Sequence, residues 1–140
     1  MRNKKRGSKM RKIVLMMLLT LVNSNAVAEW TQVGSKNQET DLTLYVDYET
    51  IQKKDDNARM WSLVDFETMQ EEKTEPFSAK THHEYECKNE KIKQLFYSLY
   101  NESMGGGTMT YSNSDAHEWA SVLPKSQDEV LLKIACGKQI

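Results

Sequence analysis

The chain has 140 residues, a formal net charge of −1, 28% charged and 39% hydrophobic residues, two cysteines and three histidines. That length suits one domain. The near-neutral total hides a separation of charge. Seven of the 19 Lys and Arg fall within residues 1–12, while all 20 acids lie beyond residue 28. The part from Glu29 onward therefore carries −8, which disfavours binding to phosphate backbones and argues against a nucleic-acid partner.

The basic residues Arg2, Lys4, Lys5, Arg6, Lys9, Arg11 and Lys12 precede an apolar run over 13–22. Ten residues are too few for a membrane helix, which needs about 20. Ala26-Val27-Ala28 then supplies the small-x-small pattern of a signal-peptidase site. This order predicts a signal peptide over 1–28, cleavage between Ala28 and Glu29, and a single mature domain over 29–140. Met10 is an alternative start, because residues 10–28 form a complete signal by themselves. No cysteine stands at the cleavage point, so an exported protein without a lipid anchor is expected, in the periplasm or at the cell surface. No transmembrane segment is expected in the mature chain.

The mature chain opens with a short strand at 30–34, stopped by Gly34, and a polar loop over 35–41. Residues 41–47 alternate, with Leu42, Leu44 and Val46 against Thr43, Tyr45 and Asp47, which predicts a half-buried strand. Tyr48-Glu49-Thr50-Ile51 reads as a single turn that tucks Ile51 under the sheet. The charged turn over 53–57 follows. Residues 58–66 carry apolar groups on both faces: Met60, Val64 and Phe66 on one, Trp61 and Leu63 on the other. Such a strand is central or has its second face covered. Residues 67–76 read as an acidic loop.

Residues 77–101 form the expected hairpin about Lys88-Asn89-Glu90. In its first strand Phe77, Ala79, His83, Tyr85 and Cys87 share one face, and Lys80, His82, Glu84 and Glu86 the other. In its second strand Ile92, Phe96 and Tyr100 are set against Leu95, Tyr97 and Leu99. The glycines at 105–107 break regular structure. They lack the GK[ST] ending of a phosphate loop. A short strand over 108–111, a polar turn over 112–117, and a stretch leading to Pro124 follow. Ser126-Gln127-Asp128-Glu129 fits a capping box before the apolar stripe Val130, Leu131, Ile134 and Ala135, with Gly137 as a C-terminal stop. Strands first and one helix last argue for an antiparallel α+β domain.

Two cysteines in a small exported chain predict one disulfide between Cys87 and Cys136. His82 and His83 are adjacent on a strand and point to opposite faces, so they cannot readily share a metal. No hydrolase, zincin or thiol-nucleophile motif occurs. No cofactor and no enzymatic activity are expected. The aromatic residues Tyr45, Trp61, Tyr97 and Tyr100 exceed what one helix can cover, which leaves either a partner or dimer surface or a face covered by loops.

Several segments carry a family resemblance: Leu44-Tyr45-Val46-Asp47 with Glu49-Thr50-Ile51, Trp61, Ser78-Ala79-Lys80, Tyr85-Glu86-Cys87, Tyr97 ahead of Met104-Gly105 and Gly107, and Ala135-Cys136-Gly137. In their order and spacing, the mature chain resembles the surface-adhesin protein E family of Gram-negative bacteria. The resemblance implies a sheet of about six antiparallel strands with a C-terminal helix, disulfide-linked through Cys87 and Cys136. It also implies a homodimer and, as in the family's adhesin, binding of the host matrix proteins vitronectin and laminin. That adhesin is a lipoprotein with a hairpin rich in Arg and Lys. This chain has no lipobox cysteine, and its hairpin offers Lys80, Lys88, Lys91 and Lys93 among acids. Lys88, Lys91 and Lys93 are the candidate partner contacts. The expected role is an exported, non-enzymatic binding protein for host matrix proteins or another envelope protein, acting through its sheet face or hairpin. The alternative is a periplasmic small-ligand-binding or accessory protein.

Overall fold

The computed structural model describes residues 27–34, 42–66 and 76–140. The basic and apolar N-terminal regions, the loop expected over 35–41, and residues 67–75 of the acidic loop lie outside the described residues. Six strands stand side by side in chain order, each antiparallel to the next: β1 (Thr31–Gln32), β2 (Thr43–Lys54), β3 (Asn57–Asp65), β4 (Ser78–Glu86), β5 (Lys91–Tyr100) and β6 (Met109–Asn113). A two-residue β7 (Ala120–Ser121) pairs with Lys91 and Ile92 at the other end of the β5 edge that carries β6. The helix α1 (Gln127–Cys136) closes the chain. Consecutive strands are neighbours throughout the six, so short turns suffice to connect them.

The expected alternation places the core. Leu44, Val46, Ala58, Met60, Tyr85 and Ile92 all face one side and pack against Leu131, Leu132, Ile134 and Ala135 of α1. Fully burying a side chain of this size contributes roughly 1.5–3 kcal/mol, so the helix is held chiefly by these four residues. Its start carries the Ser126 half of the capping box, while Glu129 reaches one residue further back than a full box requires. Ser126 Oγ accepts from the Glu129 amide at 3.2 Å, and the Glu129 carboxylate accepts from the Lys125 amide at 2.7 Å. At its end Gly137 takes φ 69°, a conformation that costs glycine nothing. The amides of Gly137 and Lys138 there donate to Ile134 and Lys133 carbonyls.

The Cys87–Cys136 disulfide ties the end of β4 to the last residue of α1, with Cα atoms 5.8 Å apart. Lys138 Nζ reinforces the same junction by donating to the Cys87 carbonyl at 2.9 Å.

Three local expectations need correction, each because a bulge or a pairing reset the pattern. The turn over Tyr48–Ile51 is an interruption within β2: Asp47 pairs with Trp61 and Gln52 with Arg59, so four residues of β2 face Met60 alone. Ile51 does pack against the core. In β5, Ile92 does not share a face with Phe96 and Tyr100. A bulge lies between the pairs His83–Gln94 and His82–Phe96, leaving Leu95 as the extra residue. Ile92 faces the helix, and Phe96 and Tyr100 face away. The stretch before Pro124 contains β7, which joins the sheet.

Candidate functional site: a groove on the helix-free face

On the face opposite α1 the register assembles cross-strand rungs. One rung runs Asp47, Trp61, His82, Phe96; the next carries Leu63, Lys80 and Ser98; the third carries Asp65, Ser78 and Tyr100. Trp61 and His82 lie ring on ring, with centroids 4.8 Å apart and planes 4° from parallel. The edge of Phe96 meets Trp61 at 5.6 Å. Together these form an aromatic floor, with the Phe96 ring tilted 60° to Trp61. Burial lowers the His82 pKa and the nearby Arg59 charge lowers it further, while Glu84 opposes both.

The walls come from irregular backbone. Within the β2 interruption, Asp47 Oδ1 accepts from the Glu49 amide at 3.1 Å. Thr50 Oγ1 donates to the Asp47 carbonyl at 2.6 Å and accepts from the Trp61 amide at 3.0 Å. These bonds satisfy backbone groups that the ladder leaves open. They also lift Asp47, Glu49 and Thr50 into one wall. Met109 of β6 and Trp30 stand on other sides. The resulting groove has a volume of about 560 Å³, and Val27 and Ala28 also line it. That volume lies within the roughly 300–1,000 Å³ range of small-molecule and anchor-residue sites.

The far end of this face is closed. A 3-10 turn, Ser103–Gly105, packs over it. The Asp65 carboxylate accepts from Ser103 Oγ and from the Met104 amide, the latter at 2.9 Å. The buried Ser78 hydroxyl donates to the Glu102 carbonyl at 2.6 Å and accepts from the Gly105 amide at 2.8 Å. Leu63 is fully buried beneath this turn. Gly105 has φ +70°, a conformation that favours glycine, and a Cβ there would meet the flexible end of Lys80 and lie close to Leu63.

Lys80 occupies the boundary between turn and groove. Its ammonium lies over the Tyr100 ring at 4.7 Å and within 6.0 Å of the Trp30 ring. Cation–π attraction favours that placement.

The expected polar face of β4 is more engaged than a solvated strand. Glu84 bonds Arg59 at 3.2 Å and Lys93 at 3.4 Å. Burial pushes its carboxyl up, but those two cations outweigh burial and hold it below the ordinary value. Of the candidate contacts, Lys93 is therefore paired with Glu84, and its ammonium also covers Trp119 at 4.6 Å. Lys91 stands opposite Glu86, and Lys88 is exposed in the turn. The three do not form one patch with the groove. Among the described residues, no group of three or more His, Cys, Asp or Glu is placed to hold a metal ion. Trp61 and Tyr100 were legible as surplus aromatics. Tyr97 instead lies on the helix side, edge-on to Tyr111. Trp30 and Phe96 join the groove through the entry segment and the β5 bulge, for which the sequence carries no clear signal.

These features define a disulfide-clamped antiparallel α+β domain with one sheet face covered by a helix and the other hollowed into an aromatic groove. Among the described residues no helix is long and apolar enough to cross a membrane. The chain belongs to the surface-adhesin protein E family, which matches residues 30–137. Two solved structures of Haemophilus influenzae protein E share the fold. The first, crystal form II, has a TM-score of 0.59 at 18% identity over 81% of this chain and 91% of that one. The second has a TM-score of 0.57 at 16% identity over 81% and 87%. No curated protein matches the chain.

Proposed function

We propose that this is an exported, adhesin-like binding protein that contacts a macromolecular partner through its helix-free sheet face. The observation that carries the proposal is the groove floored by Trp61 and Phe96, whose walls from Asp47, Thr50 and Met109 belong to the mature chain. Recessed aromatic anchors of this kind concentrate binding energy in protein interfaces. The family match beginning at residue 30 supports a removable segment before Glu29. Host matrix proteins, vitronectin and laminin, are the partners that membership in an adhesin family favours. Lys88 and Lys91, at the turn of the hairpin, are proposed as rim charges that steer association. A homodimer would present two grooves.

The test is solid-phase binding of the protein purified from the cell envelope to immobilised vitronectin and laminin. Saturable binding above that of an unrelated acidic protein is expected; its absence removes the matrix-binding reading. The groove's size also favours a second reading, a periplasmic small-ligand-binding protein. Fractionation separates the two, because surface display accompanies adhesion and retention in the periplasm accompanies the alternative.

A further inference from the structure

Asp47 differs from the other carboxylates engaged by the fold. Glu84, Glu90 and Glu129 each have a Lys or Arg within 4 Å. Asp65, which is buried to a similar degree, receives donors from Ser103 and Met104. Asp47 is only 5% exposed, yet among the described residues no cation pairs with its carboxylate. Its Oδ1 accepts from the Glu49 amide at 3.1 Å, and its Oδ2 has no hydrogen bond among the described residues. The side chain is nevertheless held at the groove wall. Thr50 Oγ1 donates to the Asp47 carbonyl at 2.6 Å, and the residue pairs with Trp61 in the ladder. A carboxylate drawn this far out of water is costly unless a cation or several donors compensate it, and a single amide does so only in part.

The surroundings narrow the chemistry of the absent counter-charge. In the rung Asp47–Trp61–His82, the imidazole stacks on one side of Trp61 and Asp47 stands on the other. A planar cation seated at Asp47 therefore meets a carboxylate and an indole together, the two contacts a guanidinium makes best. Glu49 adds a second, exposed carboxylate to the same wall. Lys80 is the one cation of the lining, and its ammonium lies over the Tyr100 ring at 4.7 Å. Two carboxylates against one ammonium leave the lining with a net charge of −1. The part of the chain from Glu29 onward carries −8 in all, so long-range attraction also favours a basic partner. We infer that the partner polypeptide inserts an arginine side chain into the groove, with its guanidinium between the Asp47 carboxylate and the Trp61 ring. The inference rests on the groove being the partner site.

The test titrates the protein, purified from the envelope as the cell processes it, with acetyl-Gly-Arg-Gly amide. Asp47, Glu49, Trp61 and Phe96 all lie beyond Glu29 and are present in that protein. The comparison arms carry citrulline or lysine in place of the arginine, and methylguanidinium alone. Citrulline keeps the shape and removes the charge. Tryptophan emission reports binding, since Trp61 borders the site. A charge-assisted contact predicts roughly tenfold tighter binding of the arginine peptide than of the citrulline peptide. Asp47→Asn keeps an acceptor for the Glu49 amide and removes the charge. It should bring the arginine peptide down to the affinity of the citrulline peptide and leave the latter unchanged, whereas Asp55→Asn, on the exposed turn between β2 and β3, should alter neither. A melting curve checks that Asp47→Asn is folded. Where it is not, Glu49→Gln decides, with roughly twofold weaker arginine binding expected of an exposed charge and no change refuting the inference. Equal binding of the arginine and citrulline peptides, no effect of a folded Asp47→Asn, or no binding by any probe overturns the inference. A lysine peptide that binds as tightly as the arginine peptide overturns the guanidinium assignment, and tighter binding of methylguanidinium than of the peptide overturns the polypeptide source. If arginine selectivity fails while Phe96→Ala weakens matrix binding, the inference falls and the groove reading stands. Selectivity with matrix binding untouched by Phe96→Ala reverses that outcome.

Discussion

Replacing both Cys87 and Cys136 with serine should cost about 4 kcal/mol of stability. The disulfide closes a loop spanning 49 residues, and the chain-entropy relation for a loop of that length gives this figure at 25 °C. The loss is large against a total of roughly 5–15 kcal/mol for a single domain. The structure adds a local consequence. Four buried residues, Leu131, Leu132, Ile134 and Ala135, seat the helix, and the bridge anchors its last turn. At roughly 4 °C per kcal/mol for a domain of this size, the melting temperature should fall by about 15 °C. Thermal unfolding followed by circular dichroism measures it, with and without a reductant. The wild type in reductant should melt near the double variant, and the variant should ignore the reductant. An unchanged melting temperature for the variant in oxidising buffer would refute the reasoning.

Two further expectations concern the polar groups beneath the helix. His83 is largely buried on the helix side, and among the described residues its Nδ1 has no hydrogen-bond partner. Burial, and then the charges of His82 and His117, lower its pKa to about 4. A lowered histidine pKa means the unfolded chain takes up the proton first, so stability falls as pH drops from about 6.5 to 4. The loss is about 3 kcal/mol. Comparing the stability of His83→Gln with wild type across that window should show a shallower slope in the variant; parallel curves would contradict the assignment. Among the described residues the Tyr85 hydroxyl, fully buried beside the His83 ring, also has no hydrogen-bond partner. Tyr85→Phe should therefore raise stability by about 1 kcal/mol in denaturant titration, and a loss of that size would point to a buried partner.

The sequence carried the fold well where a side-chain period was regular. Alternation in β2, β3 and β4 placed Leu44, Val46, Met60, Tyr85 and Cys87 on one face, and Ser126, Glu129 and Gly137 marked both ends of the helix. It failed where long-range pairing resets the period. The bulge at Leu95 moved Phe96 and Tyr100 to the opposite face from Ile92, and no local residue announces it. The groove was legible only as surplus aromatics. Its wall depends on Asp47 and Thr50 bonding backbone groups freed by the β2 interruption. Its end depends on Gly105 folding back onto Lys80 from a loop remote in sequence. The glycines at 105–107 signalled a break but not where the chain would land. The hairpin lysines attracted notice as charges, yet Lys93 is paired with Glu84, while Lys80 is the one set against the groove.

The partner is proposed to sit on the helix-free face. The most direct measurement compares Phe96→Ala with the Lys88→Ala/Lys91→Ala double variant, each titrated against an immobilised matrix protein the wild type binds. Loss of a central aromatic anchor costs about 2 kcal/mol or more, so Phe96→Ala should weaken binding about thirtyfold with its circular dichroism unchanged. The lysine variant should change mainly the salt dependence of association. Full affinity in Phe96→Ala, with binding lost in the lysine variant, would contradict the account and place the partner on the hairpin turn.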